Sequence, residues 1–388
     1  MDAGVTAPSA ALSGHERKSG DKTAHAPIAI LLPCQMLLVA SPHYGRQFVG
    51  WTDISPFTQG PGELSGEMVA VSPLIGSQIK WDELIVSWNA DAPPDAVLKI
   101  EARAIYPDHA TRFYTMGIWS GARDDPPRMS VKNQKDDDGE VLTDTLALKV
   151  PCDRAQIRLT WSGSDTVSKR AAKFVGLCLT DTKYELPNLP PNRAAWGKSL
   201  AVPERTQLDY PGGEQSWCSP TSTSMILAWW AAQLQRTELD RPVPEVAKAV
   251  ADPNWPGTGN WPFNTAYAGS FPGMRACVSR FSDVSELEDW IAGGIPVAVS
   301  VAYTVLKGVP PRAGADGHFV VCVGFTSAGD VIVNDPGTRQ QVRRNFPREN
   351  LVRAWARSHN TVYLIYPEGM AIPTDRFGHW SISKGAPN

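Results

Sequence analysis

The strongest constraint on the fold is a two-residue period that runs through the first half of the chain. Between residues 81 and 182, apolar and polar side chains alternate in short runs, at residues 84–88, 98–106, 146–150 and 157–161. Because successive side chains of a strand point to opposite faces, the alternation indicates strands with one buried and one solvated face. Turn-forming residues separate the runs, as at 91–94, 136–139 and 162–165. Short antiparallel strands at this spacing predict a jelly-roll-like β-sandwich over residues 27–185.

The second half of the chain has a different pattern. Residues 220–235 carry apolar side chains at helical spacing, and this helix is expected to begin at Ser219 or Pro220. A short helix is predicted at 286–292, where two glycines follow. Apolar runs typical of strands come after it, at 295–301, 318–325, 331–334 and 360–366. The fold class is therefore α+β, with a second domain that combines helices and an antiparallel sheet over residues 199–369.

Other segments show no such periodicity. Residues 186–198 are rich in proline, which resists both helices and central strands, and they predict a linker. Residues 1–26 are mostly small and polar and predict a disordered leader, and residues 370–388 form a tail without a clear pattern. The apolar run at 27–40 is either the core of a secretory signal or the first strands of the folded domain. We favour the strands.

Composition excludes several classes of function. Hydrophobic residues make up 42% of the chain and charged residues 20%, which supports a packed core. The formal net charge of −3 gives no support for the basic face that a nucleic-acid-binding protein needs, so no nucleic-acid partner is predicted. No apolar run reaches the roughly 18 residues that a membrane-spanning helix requires, and none is expected.

The cysteines and acidic residues do not indicate a metal site. Six cysteines are too few for a disulfide scaffold in a chain of 388 residues, and no CxxC occurs. Cys152 with Cys178, and Cys277 with Cys322, either pair in a secreted protein or are core thiols. The acidic run at 136–140 does not match the spacing of a calcium loop and predicts a polar hairpin turn. We therefore predict no metal and no cofactor.

Cys218 lies where sulfur chemistry is favoured. It immediately precedes the predicted helix, and the free amides and the dipole of a helix N-terminus stabilise negative charge. A thiol in this position has a lowered pKa and a larger thiolate fraction, and the thiolate is the nucleophile. The alternative is a buried cysteine that serves as a small apolar residue.

Among the seven histidines, His318 has the setting best suited to catalysis, because it begins a predicted strand. A strand end can present an imidazole to a cleft on a rigid support. A turn at residues 326–330 and a second strand follow, and the two strands are expected to form a hairpin. The hairpin would return Asp335 close to His318, where a carboxylate could orient the imidazole. Taken alone, each residue could equally be a strand-end histidine or a turn residue before proline.

Three motifs in this order resemble the papain-like cysteine peptidases. They are residues 217–222 (WCSPTS), the Gly317–His318 pair before a valine-rich run, and residues 334–336 (NDP). Within that clan they most resemble the group related to the bacteriocin-leader-processing peptidases, over roughly residues 199–366. Residues 259–266 (GNWPFNTA) are similar to a segment of secreted bacterial members.

The resemblance implies Cys218 as the nucleophile, His318 as the general base and Asp335 as the orienting residue. It also implies a glutamine that donates to the oxyanion hole together with the backbone amide of the nucleophile. Two glutamines lie within the twenty residues before the nucleophile, Gln207 and Gln215, and neither has the spacing usual in the clan. We favour Gln207, because the glycine-containing loop after it allows an extended approach to the helix.

Other residues near these motifs are expected to contact the substrate. They are Trp217, Gln215, Asn264 and Gly317. Ser219 departs from the family pattern, in which a glycine often follows the nucleophile, and this puts a close substrate approach in doubt.

The function predicted from these residues is the hydrolysis of peptide bonds in a peptide or protein substrate. The alternatives are a catalytically idle binding module of the same fold, or an amidase or transferase that acts on cell-wall or small thiol peptides. The first half is expected to be an adhesion or carbohydrate-binding module with a polysaccharide or cell-wall ligand, or a lid on the peptidase. We expect a secreted or cell-envelope location, with the cytoplasm as the alternative.

Overall fold

The computed structural model of the protein describes residues 43–121, 128–163, 172–255, 257–311 and 316–383. The predictions of a disordered leader at 1–26, and of a signal core or first strands at 27–40, lie outside the described residues.

The first half folds into antiparallel strands, as the two-residue period predicts. The strands are β1 (Arg46–Trp51), β2 (Thr58–Pro61), β3 (Met68–Val71), β4 (Ile75–Ala90), β5 (Val97–Ala104), β6 (Tyr114–Ser120), β7 (Gly139–Leu142), β8 (Thr145–Ser162) and β9 (Ala172–Thr180). Ile157, Leu159 and Ile100 are buried, as the alternation on β8 and β5 predicts. The prediction of one solvated face is wrong for residues 84–88 of β4, which are buried on both faces because the second half of the chain packs against this strand. It is also wrong for Val150, which is 61% exposed.

These strands are hydrogen-bonded into one curled sheet. The 18-residue strand β8 pairs with β4 and β7 over its first part and with β5 and β3 over its second part. Because β8 is continuous and pairs with both groups of strands, the described strands of the first half form one curled sheet. They do not separate into two hydrogen-bonded layers. The jelly-roll-like sandwich therefore stays a prediction, and the α+β class with antiparallel sheets is confirmed.

The second half contains helices and a second antiparallel sheet. The helices are α1 (Cys218–Leu234), α2 (Val243–Val250), α3 (Trp261–Ser270), α4 (Val284–Ala292), α5 (Tyr303–Leu306) and α6 (Arg348–Trp355). The strands are β10 (Met274–Arg280), β11 (Val297–Ala302), β12 (Gly317–Phe325), β13 (Val331–Asn334), β14 (Arg343–Phe346) and β15 (Thr361–Pro367), in the spatial order β10-β15-β11-β12-β13-β14. Each element predicted in this half is present, with ends that differ by at most two residues.

The two sheets meet along β10, the edge strand of the second sheet. The side-chain amide of Asn89, on β4, donates to the carbonyl of Ala276 (2.8 Å) and accepts from its N–H (3.0 Å). The hydroxyl of Ser87 accepts from the N–H of Val278 at 2.8 Å. Because these side chains satisfy an edge that would otherwise lack partners, the first half is held firmly against the second. The described residues from His43 onward belong to one compact unit.

The C-terminal tail adds a strand to the first sheet. Strand β16 (Trp380–Ser383) pairs in parallel with β1. Just before it, His379 is buried, with its ring nitrogens 2.9 Å from Oε1 of Glu286 and 2.8 Å from Oγ of Ser282. The tail thus ties α4 of the second half to the edge of the first sheet. Sequence patterning missed β16, because a four-residue strand with partly exposed side chains carries too little periodicity.

The cysteines of the described segments carry free thiols. Cys152, Cys178, Cys277 and Cys322 are buried and unpaired by disulfides, so the pairing alternative is wrong and the core-thiol alternative holds. Within the described residues, no helix has both the length and the apolar character needed to cross a membrane.

Candidate active site

The helix α1 places Cys218 at its first position. The helix is buried along most of its length, since apolar and small residues occupy all of its faces. Its cap residue, Trp217, makes no side-chain hydrogen bond to the first turn, which leaves the terminal amides beside the thiol unsatisfied by a cap. The helix begins one residue before the predicted Ser219, so the positive end of the dipole lies at the cysteine itself.

The hairpin of β12 and β13 brings His318 and Asp335 together. The strands are antiparallel, with Val321 opposite Asn334, so the residue after Asn334 returns toward the start of β12. His318 donates from Nε2 to Oδ1 of Asp335 at 2.8 Å, and Asp335 is fully buried. The predicted hairpin and the predicted proximity of these two residues are confirmed.

Cys218 and His318 line the same cavity, and each group shifts the pKa of the other. Burial disfavours the thiolate, but the interaction with His318 outweighs burial and lowers the pKa of Cys218. Burial also disfavours the imidazolium, but the hydrogen bond to Asp335 and the interaction with Cys218 raise the pKa of His318 to about 9. Since Nε2 is engaged with Asp335, Nδ1 is the nitrogen left to face the thiol.

Several groups hold the carboxylate of Asp335. Its Oδ1 also accepts from the N–H of Gly337 at 2.9 Å, and its Oδ2 accepts from the hydroxyl of Tyr303 at 2.8 Å. Arg344 lies 3.5 Å from the same Oδ2. Burial disfavours the ionised form, yet the hydrogen bonds from His318 and Tyr303 lower the pKa of Asp335. The site therefore keeps a buried carboxylate charged beside the imidazole.

Tyr303 and Gly337 were not found by sequence reasoning. Tyr303 follows β11, and its ring centroid lies 4.1 Å from that of His318. The pairing of β11 with β12 places Val301 opposite His318, and Tyr303 lies two residues after Val301. A prediction of this strand register would therefore have placed the tyrosine near His318. At Gly337 a Cβ would lie 3.0 Å from Cε1 of His318, so only glycine fits there without a shift.

The two candidate glutamines occupy different positions. Gln207 is buried, and its Nε2 donates to the carbonyl of Glu214 at 2.8 Å, in the loop that leads to Cys218. Its backbone N–H also donates to the carbonyl of Pro336, next to Asp335. Gln215 is exposed and lines the cavity beside Cys218, whereas Gln207 lies outside that lining.

Of the other residues expected to contact the substrate, some line the cavity and some lie behind its wall. Gly317 lines the cavity, and Trp217 packs its ring against the loop around Gly213. Asn264 is fully buried and donates to the carbonyls of Thr258 and Asn260 at 2.8 and 2.9 Å. It therefore holds a wall of the cavity from behind and does not line it.

The cavity beside Cys218 and His318 has a volume of about 540 Å³. Both halves of the chain line it. From the second half come Trp255, Thr258, Trp261, Arg280, Ser300, Phe319, Arg357 and His359, among others. From the first half come Glu83, on β4, and residues 142–145, at the turn between β7 and β8. Sequence reasoning did not find this second contribution, because it depends on how the two halves pack. Within the described segments, no group of three or more His, Cys, Asp or Glu side chains is arranged to hold a metal ion.

Two family models match the sequence of this chain. Residues 199–363 match the model of the Peptidase_C39 like family, and residues 67–172 match the model of the peptidase C39 N-terminal domain. A crystal structure described provisionally as a C39-like peptidase from Bacillus anthracis is similar at 17% sequence identity and a TM-score of 0.32, over 43% of this chain and 96% of that one. No curated protein matches the sequence.

Proposed function

Residues 199–363 belong to the papain-like cysteine peptidases of the C39-like, bacteriocin-processing family, and from this premise we propose that the chain hydrolyses peptide bonds through Cys218, His318 and Asp335. The observation that carries the proposal is the hydrogen bond from Nε2 of His318 to Asp335, which leaves Nδ1 for the thiol. A thiolate and an imidazolium that stabilise one another are the form in which a cysteine attacks an amide carbonyl.

The first half of the reaction forms a thioester. The Sγ thiolate of Cys218 attacks the carbonyl carbon, a C–S bond forms, and the carbonyl electron pair moves to oxygen. When the tetrahedral intermediate collapses, the C–N bond breaks and the proton on Nδ1 of His318 passes to the leaving amine.

The second half hydrolyses the thioester. His318, now neutral, takes a proton from a water molecule as the water oxygen attacks the acyl carbon. The C–S bond then breaks, the acid product leaves, and the thiolate and imidazolium are restored. Asp335 stays ionised throughout and stabilises the imidazolium.

The oxyanion of each intermediate needs fixed donors. The backbone N–H of Cys218, at the start of α1, is one. We assign the second to the side chain of Gln207, whose burial and bond to Glu214 fix its position beside the nucleophile loop. Gln215 is the alternative, because it lines the cavity.

Selective alkylation tests the proposal. The protein is treated with iodoacetamide at pH 6, and the labelled cysteines are mapped by mass spectrometry. Cys218 is expected to react well ahead of the buried thiols, since burial raises the pKa of Cys178, Cys277 and Cys322. His318→Ala should slow the labelling of Cys218, and Cys218→Ala should abolish cleavage of a mixed peptide library. Even labelling of all the thiols would favour the idle binding module.

The cellular location of the protein stays a prediction, and so does the arrangement of its first half in two sheet layers. We propose export of the protein to the cell envelope or the medium. Fractionation of cells that express the full chain tests this, and recovery of the protein only in the cytoplasm would contradict it. The match of residues 67–172 to a peptidase-associated domain favours a role in peptidase function over carbohydrate binding.

A further inference from the structure

The turn between β7 and β8 extends from the first sheet into the cavity of the candidate active site. Residues 142–145 line the same cavity as Cys218 and His318. We propose that this turn contacts the substrate, and that Asp144 selects a substrate that carries a cationic group. That group is a lysine or arginine side chain, or a free amino terminus. The inference rests on the proposed function and names the substrate class.

The turn has a strained backbone at its tip. The N–H of Asp144 donates to the carbonyl of Leu142 at 2.7 Å, and Thr143 between them has a φ of +64°. This is a γ-turn with positive φ, which is rare and unfavourable for a β-branched residue. Leu142 pairs with Thr145 in the ladder, so the surrounding strands hold the strained residue in place. Strain of this kind concentrates where a side chain must be held in one position.

The carboxylate of Asp144 is held by neutral donors. Oδ2 accepts from the N–H of Trp261 at 2.8 Å, and Oδ1 accepts from the hydroxyl of Thr145 at 3.2 Å. A carboxylate can accept about four hydrogen bonds, so acceptor positions remain for a ligand. The residue is 7% exposed and still lines the cavity.

No cation of the described chain forms an ion pair with this carboxylate within 4 Å. Arg280 acts on Asp144 from a greater distance, and its positive charge lowers the pKa of that carboxyl. The Arg280 guanidinium is bonded elsewhere, with Nη1 at 2.6 Å from Oε2 of Glu83 and Nε at 3.2 Å from the hydroxyl of Thr361. The ion pair with Glu83 therefore offsets part of the charge of Arg280. Arg357 is exposed and solvated, so its charge is screened.

A buried carboxylate without a direct ion pair is costly, and a bound cation would relieve that cost. Burial raises the pKa of Asp144 to about 6, against the hydrogen bonds from Trp261 and Thr145 and the positive charge of Arg280, so the carboxylate is mainly ionised at neutral pH. A substrate ammonium or guanidinium would thus gain a charge-assisted hydrogen bond that a neutral side chain cannot make.

The competing explanation is that Asp144 only fastens the first sheet to the start of α3. Asp144→Asn distinguishes the structural role from the substrate-selecting role, because the amide oxygen can still accept from Trp261 while the charge is lost. A structural role predicts the same change for all substrates. A selecting role predicts a change for cationic substrates alone.

The test is cleavage of a peptide library in which lysine, norleucine or glutamate is varied at three positions on each side of the scissile bond. Wild type is expected to cleave peptides with lysine at one of these positions about tenfold faster than those with norleucine, and Asp144→Asn should abolish that preference. Asp138→Asn, in the exposed turn before β7, is the matched control and should keep it. Wild type without a lysine preference, or Asp144→Asn with an unchanged one, would overturn the inference.

A second measurement decides the matter if wild type cleaves no peptide, which would contradict the proposed function itself. Aminoethyl and sulfonatoethyl methanethiosulfonates are compared as reagents for Cys218. The thiolate attacks the thiosulfonate sulfur, a mixed disulfide forms and methanesulfinate leaves. If Asp144 draws cations into the cavity, Asp144→Asn lowers the ratio of the aminoethyl to the sulfonatoethyl rate by several fold. An unchanged ratio would overturn the inference independently of peptide cleavage.

Discussion

Nε2 of His318 lies 2.8 Å from Oδ1 of Asp335, although the two residues are 17 positions apart in the sequence. The carboxylate is fully buried and is held by three further groups, from Tyr303, Gly337 and Arg344. This contact fixes both the orientation of the ring and the nitrogen that faces Cys218.

The charge of Asp335 is expected to be essential. Asp335→Asn keeps the approximate shape but removes the negative charge that stabilises the imidazolium, so kcat/KM should fall by about 10²-fold or more. The pKa of Cys218 should rise, because a neutral His318 stabilises the thiolate less well. The rate of alkylation of Cys218 as a function of pH measures this shift. An unchanged alkylation profile would contradict the role assigned to Asp335.

Activity and stability should both decline at alkaline pH. The folded-state pKa of His318, about 9, lies above its usual value of 6.5, so its contribution to stability is complete below pH 6.5 and is lost as the pH rises through about 9. kcat/KM should fall over the same alkaline pH range, because deprotonation of His318 removes the imidazolium. Cys218→Ala removes the thiolate partner, so the stability loss should begin at a lower pH. Chemical denaturation of both proteins between pH 6 and 10 checks this, and a kcat/KM that still increases above pH 9.5 would argue against it.

The hydroxyl of Tyr303 is expected to position Asp335. Tyr303→Phe retains the ring beside His318 but removes one hydrogen bond to a buried carboxylate, a loss of about 1–2 kcal/mol. We expect kcat to fall by up to about tenfold with little change in KM, and the alkaline limit of the pH profile to move down. Tyr106→Phe, which removes a hydroxyl bonded to the carbonyl of Val150 in the first half, is the control and should leave kcat unchanged. Equal effects of the two substitutions would refute a positioning role.

The glutamine of the oxyanion hole can be identified by substitution. Gln207→Ala should lower kcat by about 10²-fold, as expected when one donor to the developing oxyanion is lost. Gln215→Ala should change kcat by less than about fivefold, because this side chain is exposed and not held in one orientation. Steady-state kinetics of both variants with one peptide substrate are the measurement. The opposite order would assign the oxyanion donor to Gln215.

The C-terminal tail is expected to stabilise the folded chain. His379→Ala leaves the buried carboxylate of Glu286 without its ring partner and should lower the free energy of unfolding by about 3 kcal/mol. His109→Ala, which removes an exposed histidine paired with Asp108 and Asp138, should leave unfolding unchanged. Urea denaturation followed by tryptophan fluorescence compares them. Similar unfolding midpoints for both variants would mean that the buried contact contributes little.

Local patterns predicted much of the second half, for a physical reason. The start of α1, and hence the position of Cys218 at a helix N-terminus, follows from helical periodicity over adjacent residues. The proximity of His318 and Asp335 follows from a short turn between two apolar runs, which restricts how the strands can pair. Such inferences need only neighbouring residues and standard backbone geometry.

The remaining features depend on contacts between distant segments. Tyr303 reaches Asp335 only because β11 pairs with β12 in one register. Asp144 lines the cavity only because Ser87 and Asn89 dock the first sheet on the edge of the second. By itself, the sequence determined the alternation of the strands and the order of the cysteine, histidine and aspartate. Tertiary structure alone decided which side chains surround them, because packing between halves depends on the complementarity of whole surfaces and leaves no local period in the chain.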